Sequence, residues 1–139
     1  MSSEFKLENR LCFRLYAASR EVIKQLRPFL EALDLTYTQY LVMVVLWEGG
    51  TCSVKQLGQR LYLDSGTLTP VIKNLEKKEL LRRFRSAEDE RVVMTEITDS
   101  GKALQRQANE MTADMQACMA LDKSEKVALG DLLNKLLPQ

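Results

Sequence analysis

The sequence predicts a mainly α-helical domain with a small β-hairpin, and three observations support this fold class. Apolar residues recur at helical spacing through most of the chain. After Leu81 the period of the apolar pattern changes from 3.6 to 2, as it does in paired strands. The apolar face of the first helix is wider than a helix covering one side of a small domain needs, and a dimer would bury the surplus.

Length and composition narrow the possible functions. The chain has 139 residues, 28% of them charged and 45% hydrophobic, as expected for one globular domain. Charged residues within the first twenty argue against a secretory leader, and the longest apolar run, 41–47, is too short to span a bilayer. We therefore expect a cytoplasmic protein without a membrane partner. Three cysteines and no histidine exclude Cys/His zinc sites, Ser-His-Asp triads and Cys-His dyads, so we expect no metal and no cofactor.

The first half of the chain predicts four helices. Apolar spacing from Leu7 predicts a helix to about Arg27, where Pro28 interrupts or kinks it. Capping boxes at 36–39 and 53–56 open a helix ending near residues 49–50 and a short helix over 54–62. The next helix covers 64–79, with Asp64 or Ser65 as its cap, Pro70 near its first turn, and an inward stripe of Leu68, Ile72 and Leu75. Two short helices joined by a tight turn indicate a helix-turn-helix.

The second half predicts a hairpin and two more helices. Segments 81–85 and 91–97 alternate as strands around a polar tip at 86–90, which would form a wing beside the helix-turn-helix. Thr98 caps a helix to about Met119, and a capping box at 122–125 opens the last helix. The predicted layout is α-α-α-α-β-β-α-α within one domain, 1–139. Region 36–98 is predicted to form the winged helix-turn-helix, with the helices of 1–35 and 99–139 on either side of it.

Local charge favours DNA as the partner. The net charge is only +1, but 71–85 contains six basic residues against two acidic ones. Small donors and a lysine follow the start of the candidate recognition helix, and arginines lie on the first strand; these candidates are Ser65, Thr67, Thr69, Lys73, Arg83 and Arg85. Serine and threonine at a helix start serve equally well as caps, and the residues alone do not separate the two uses. The adjoining wing favours DNA.

At the wing tip, Asp89 precedes Arg91 by two residues. An arginine on a hairpin tip can enter the minor groove, where narrow A·T tracts concentrate negative potential, and Asp89 can orient its guanidinium through a bidentate pair. The alternative is a solvent-exposed salt bridge on a turn, which is common and contributes little.

Two stretches resemble a known family. The span "LYLDSGTLTPVIKNLEKKELLRRFRSAEDERVVMTEITDSGKAL" is similar to the winged helix of MarR-type transcription regulators. "LCFRLYAASRE" together with "LDLTYTQYLVMVVLWE" resembles the organic hydroperoxide-sensing branch, OhrR, of the two-cysteine type. The resemblance implies a homodimeric repressor on double-stranded operator DNA, with helix 64–79 in the major groove and Arg91 in the minor groove. It also implies that 1–35 and 99–139 are dimerisation helices.

The resemblance also implies that Cys12 is the redox sensor, oxidised by an organic hydroperoxide. In this branch, tyrosine hydroxyls of the other subunit hydrogen-bond the thiolate; Tyr37 matches one of them, while the second falls on Leu26, which has no hydroxyl. Tyr16, Tyr40 or a water would then substitute as the donor. Phe13 and Trp47 would give the peroxide an apolar pocket. The alternative is that Cys12 is a buried structural thiol.

The other two cysteines differ in their match to the branch. Cys118 matches its second cysteine, which implies a Cys12–Cys118 disulfide between subunits; forming it would move helices and release DNA. The alternative for Cys118 is a core position among Met115 and Met119. Cys52 matches no sensor position and is interpreted as incidental, in the turn between helices.

Three other functions stay open at this point. One is a MarR-type regulator controlled by a small aromatic ligand, with inert cysteines. Another is a thiol peroxidase, which we do not expect because the chain lacks the βαβ alternation of thioredoxin-like enzymes. The last is a helical protein-interaction module, for which a basic wing would be unnecessary.

Overall fold

A computed structural model describes residues 2–139. Two 3₁₀ turns, Ser3–Phe5 and Leu7–Asn9, precede six helices, which are α1 (Leu11–Leu33), α2 (Tyr37–Gly49), α3 (Val54–Leu61), α4 (Ser65–Lys77), α5 (Asp99–Ala117) and α6 (Lys123–Leu136). The strands are β1 (Thr51–Ser53), β2 (Leu81–Arg85) and β3 (Val93–Ile97). The predicted fold class, mainly helical with a β-hairpin wing, is confirmed.

The prediction that the first helix ends at about Arg27 is wrong. Helix α1 begins at Leu11 and continues through Pro28 to Leu33. Proline removes one backbone donor, but Leu30 and Leu33 beyond it are buried in the core, and this burial stabilises the continued helix. The helix ends where Asp34 adopts a left-handed conformation (φ 55°) and the backbone N–H groups of Asp34 and Leu35 donate to the carbonyls of the last turn.

The predicted caps are present. Capping boxes join Thr36 to Gln39, Ser53 to Gln56 and Asp122 to Glu125, while Asp64 and Thr98 accept backbone N–H groups at the starts of α4 and α5. The position of Pro70 differs from the prediction, because Pro70 lies in the second turn of α4 rather than near the first. Pro70 cannot donate to the carbonyl of Gly66, but both residues are exposed and water can satisfy that carbonyl.

The hairpin is part of a larger sheet than predicted. Strand β1 pairs antiparallel with β3, giving three strands in the order β1-β3-β2. Cys52 therefore lies in a strand and not in a turn, which corrects its expected position. The hydroxyl of the buried Thr95 on β3 donates to the carbonyl oxygen of Cys52 at 2.7 Å. At three residues, β1 is too short to show a period of 2.

The core lies inside the helix-turn-helix region and under the sheet. Its fully buried apolar side chains come from α2, α3, α4 and β2, and the largest are Met43, Leu46, Leu57, Leu68, Ile72, Leu75 and Leu81. Helix α6, by contrast, buries none of its residues. Within residues 2–139, no single helix is long and apolar enough to cross a membrane; α1 and α2, bent by 67°, meet that length and composition only as a pair.

Candidate DNA interface and sensor cysteines

The face that α4 presents to solvent is fixed by the face it buries. Leu68, Ile72 and Leu75 are fully buried, so Ser65, Thr67 and Lys73 are left exposed. The carboxylate of Asp64 accepts the N–H of Thr67 at 2.7 Å, and this bond lowers the pKa of Asp64 and keeps the cap ionised. Thr69 differs from its neighbours, because its hydroxyl donates to the carbonyl of Ser65 at 2.7 Å. Ser65 and Thr67 lie in the first turn of α4 and Lys73 about 12 Å further along it, and their contacts with DNA stay a prediction.

The predicted pair at the wing tip is present. Arg91 donates through Nε and Nη2 to the two carboxylate oxygens of Asp89, at 3.1 and 3.2 Å, and its backbone N–H donates to Oδ1 at 3.1 Å. These hydrogen bonds lower the pKa of Asp89. The side chain of Arg91 is nevertheless 91% exposed. An oriented, accessible guanidinium at the end of a hairpin is suited to entering a groove of DNA.

The arginines of β2 have different surroundings. Arg83 is held by Glu76 of α4, which accepts its backbone N–H at 3.1 Å and its Nε and Nη2 at 3.2 and 3.0 Å. The hydrogen bonds from Arg83 lower the pKa of Glu76. Arg85 is exposed and donates to the carbonyl of Glu90 at 3.2 Å. Arg83 thus joins the wing to α4 in the free chain, a role the sequence did not predict, and its phosphate contact stays a prediction.

Cys12 is exposed near the start of α1. Within residues 2–139, its thiol makes no hydrogen bond. The expectation of a buried structural thiol therefore does not describe this chain. Phe13 and Tyr16 line a shallow depression on the same helix, with Tyr16 four residues after Cys12. The Tyr16 hydroxyl accepts a hydrogen bond from Arg20 at 3.0 Å.

Tyr37 and Trp47 both lie on α2. The Trp47 indole N–H donates to the carbonyl of Gly101 at 2.8 Å, and its ring packs edge to face on Tyr40. From Cys12 to Leu33 the axis of α1 rises about 31 Å, and the four residues on to Tyr37 can return at most about 14 Å. Tyr37 is thus at least about 17 Å from Cys12 of its own chain. Within one chain, Tyr37 and Cys12 are therefore too far apart to form one site.

The position of the expected second tyrosine is occupied by a core residue. Leu26 is 8% exposed and lies on the face of α1 that packs into the domain. Its side chain contributes apolar burial and has no donor for a thiolate.

Cys118 and Cys12 are also far apart within the chain. The Cys118 thiol, half-buried at the end of α5, lies 3.8 Å from the carbonyl oxygen of Gln25 and 3.5 Å from that of Asp114. Gln25 is 13 residues after Cys12, about 20 Å along α1. A disulfide requires Cα atoms within about 7 Å, so one chain cannot bridge its own pair without being rebuilt. Met115 and Met119 line the same open depression as Cys118, but all three side chains are half-buried and none belongs to the hydrophobic core, so the core alternative is not supported.

Cys52 is half-buried, and burial raises the pKa of its thiol, with Arg60 opposing the shift. A protonated thiol is a poor nucleophile. The interpretation of Cys52 as incidental is consistent with this environment.

Comparison with known proteins identifies the family. A family model described as transcriptional regulator SarA/Rot matches residues 24–108. The chain is 53% identical over 103 residues to the organic hydroperoxide resistance transcriptional regulator of Bacillus subtilis, covering 74% of this chain and 70% of that protein. It is 38% identical over 130 residues to the regulator SarZ of Staphylococcus aureus, covering 94% and 86%.

Solved structures agree with this assignment. AbfR of Staphylococcus epidermidis, 32–33% identical, is known reduced on DNA (TM-score 0.74, covering 94% of both chains), overoxidised on DNA (0.76, 94% and 91%) and in a disulfide form (0.63, 94% and 86%). A MarR variant from E. coli in complex with operator DNA is 25% identical, with a TM-score of 0.86 over 99% and 100% of the chains. The chain therefore belongs to the SarA/Rot-type winged-helix regulators of the MarR family, which are transcriptional regulators and not enzymes.

Proposed function

We propose that this chain is a homodimeric repressor that releases operator DNA when an organic hydroperoxide oxidises Cys12 and a disulfide forms with Cys118 of the partner subunit. The observation that carries the proposal is the placement of Cys12. Its thiol is exposed, and α1 holds it far from both Tyr37 and Cys118 of the same chain. A second copy is needed to complete such a site. The 53% identity to a hydroperoxide resistance regulator supports the same function.

The uncovered apolar faces support the homodimer. Helix α6 leaves a leucine-rich face in water, formed by Val127, Leu129, Leu132, Leu133, Leu136 and Leu137. At the other end of the chain, Phe5, Leu7 and Leu11 are each more than half exposed. Exposed apolar faces of this extent mark interaction surfaces, because burying them gains about 25 cal/mol per Å². A second copy presents the same faces, which fits the proposed roles of 1–35 and 99–139 in pairing.

The proposed chemistry takes two balanced steps. The Cys12 thiolate attacks one peroxide oxygen and the O–O bond breaks; the thiol becomes a sulfenic acid and the peroxide leaves as an alcohol after taking up the thiol proton. The thiol of Cys118 of the partner subunit then attacks the sulfenic sulfur, forming the S–S bond and releasing water. The hydroperoxide is the only oxidant required.

Two tyrosines are proposed to hydrogen-bond the reacting sulfur. Tyr37 of the partner subunit is one, because its own chain keeps it too far from Cys12. Tyr16 is the other, in place of the second tyrosine of the family, whose position Leu26 occupies in this chain. Tyr16 lies one turn beyond Cys12 on the same face of α1. Its hydroxyl accepts a bond from Arg20, so its own hydrogen remains free to donate. Phe13 supplies apolar surface for a bulky peroxide.

The proposed DNA complex uses the two exposed features of the winged helix. Helix α4 enters the major groove with Ser65 and Thr67 in its first turn and Lys73 further along the helix. Arg91 enters the minor groove. The pair with Asp89 orients Arg91 before DNA arrives, and Arg85 is free to meet a phosphate.

We assign release to the disulfide rather than to overoxidation. AbfR has been crystallised on DNA both reduced and overoxidised, and separately in a disulfide form. The present chain is more similar to the two DNA-bound forms (TM-scores 0.74 and 0.76) than to the disulfide form (0.63). These values support a DNA-competent conformation for the reduced chain.

The test combines cross-linking with DNA binding. Reduced protein is treated with cumene hydroperoxide and run on non-reducing gels beside Cys12→Ser, Cys118→Ser and the control Cys52→Ser. We expect a covalent dimer in the wild type and the control only. Binding is measured by fluorescence anisotropy on a duplex that the reduced protein selects from a random-sequence pool. Affinity should fall on oxidation wherever the dimer forms; unchanged affinity in the cross-linked wild type would refute the switch.

A further inference from the structure

One side chain ties the recognition helix to the far end of the helix that carries Cys12. Lys78 follows the last residue of α4, and its ammonium group donates to the backbone carbonyl of Asp34 and, at 3.3 Å, to Oε1 of Gln39. It also lies 3.7 Å from the carboxylate of Asp34. Two hydrogen-bond acceptors and one nearby carboxylate therefore surround the ammonium group at the same corner of the molecule.

That corner is where α1 ends and α2 begins. Asp34 is the left-handed residue that terminates α1, and carbonyls at a helix end carry partial negative charge that favours a cation. Gln39 is buried, and its amide oxygen also accepts the backbone N–H of Thr36 to complete the cap of α2. In residues 2–139, Lys78 makes the only hydrogen bonds between the α4 segment and this corner. The link is therefore local, specific and removable.

The tie matters because α1 is long and continuous. Its 23 residues span about 33 Å, with Cys12 near one end and Asp34 just beyond the other. A disulfide at Cys12 pulls on the first end of α1, and a continuous helix passes part of any tilt or shift to the second end. Lys78 holds that end to the base of α4, so the recognition helix moves with it.

We propose that Lys78 is a positioning residue that couples α1 to the recognition helix, so that oxidation at Cys12 re-aims α4 on DNA. The inference rests on the proposed redox switch and adds the route by which it reaches DNA. Lys78 touches neither the reacting sulfur nor the bases. Without the tie, α1 moves on oxidation but α4 follows less, and the oxidised dimer keeps more of its DNA affinity.

The test compares the oxidised and reduced dissociation constants of each variant on the duplex selected by the reduced protein. Lys78→Met keeps the aliphatic stem and removes all three donors; Lys78→Arg restores a cationic donor. Lys102→Met removes an exposed lysine on α5 as a matched control. We expect the oxidised-to-reduced ratio to fall about tenfold in Lys78→Met, within the usual range of coupling between sites, and to stay near the wild-type value in the other two.

Two further measurements separate coupling from a merely structural role. The rate of Cys12 oxidation, followed by mass spectrometry, should be unchanged in Lys78→Met because the substitution lies about 33 Å away along α1. If Lys78→Met is destabilised but keeps the wild-type ratio, the coupling role is wrong. If the wild type itself shows no loss of affinity on cross-linking, the proposed switch fails independently of Lys78.

Discussion

Gly101 gives the sharpest test of how α5 is joined to the sheet of the winged helix. It is buried in the first turn of α5, where a Cβ would overlap the carbonyl oxygen of Leu80 and lie 2.7 Å from Cγ1 of Ile97. The carbonyl of Gly101 also accepts the indole N–H of Trp47 at 2.8 Å. A methyl group at this position therefore cannot be accommodated unless α5 moves away from the sheet.

The expected cost of Gly101→Ala follows from these contacts. Overpacking against a backbone atom costs roughly 1–3 kcal/mol, and weakening the bond from Trp47 adds about 1 kcal/mol. The better helix propensity of alanine offsets up to about 1 kcal/mol. We expect a net loss of about 2 kcal/mol in the free energy of unfolding. For a chain of this length that loss lowers the melting temperature by about 7 °C.

The assay is urea unfolding followed by circular dichroism, at one fixed protein concentration because the proposed dimerisation would contribute to stability. The control is Gly49→Ala, at the last residue of α2, where a Cβ meets no atom within 4 Å. We expect that variant to be neutral or slightly stabilised. A Gly101→Ala protein within about 0.5 kcal/mol of wild type would show that α5 is not held this closely and refute the reasoning.

Three further outcomes are expected. Trp47→Phe removes the indole donor and should cost about 1 kcal/mol in urea unfolding; an unchanged midpoint contradicts its bond to α5. Arg91→Ala should lower DNA affinity and reduce the salt slope by about 1.8 if each of the two wings in the proposed dimer neutralises one phosphate charge, whereas exposed Arg106→Ala should not. Glu76 has a lowered pKa beside Arg83, so its stabilising effect holds above the ordinary value of 4.5 and is lost as pH falls through the lowered one. Glu76→Gln should flatten the loss of stability below about pH 4.5, and an unchanged acid profile would contradict this.

The helical part of the fold was readable from the sequence because its signals are local. Each cap requires only a side chain and a backbone N–H three residues later, and Thr36, Ser53, Asp64 and Asp122 all form theirs. The inward stripe of α4 is likewise set by spacing alone. Local sequence signals did not predict the features that depend on tertiary packing, namely the length of α1 and the existence of β1. Burial of Leu30 and Leu33 carries α1 past a proline, and pairing with β3 makes a strand of only three residues.

For the candidate DNA interface, the sequence was sufficient to select residues but predicted few of the contacts that these residues make. The Asp89–Arg91 pair spans two residues of one turn, so sequence was sufficient to predict it. The clamp between Glu76 and Arg83 joins a helix to a strand after a reversal of the chain, and no spacing rule predicts it. Lys78 was visible only as one charge in a basic block. Its direction, toward Asp34 and away from the start of α4, depends on how the helices pack.

The sensor residues show a further limit of a single sequence. Cys12, Tyr37 and Cys118 are assigned to one proposed reaction, yet in one chain Tyr37 lies at least about 17 Å from Cys12, and Cys118 lies beside Gln25, about 20 Å along α1. Because α1 keeps Cys12 away from Cys118 of the same chain, the reduced Cys12 thiol cannot form a disulfide within one chain. In the proposed function, the disulfide can form only after two chains have assembled. In the proposed dimer, a disulfide between Cys12 and Cys118 of the partner subunit would act on the positions of both subunits at once. The separation along α1 is therefore a physical reason for such a switch to work as a pair.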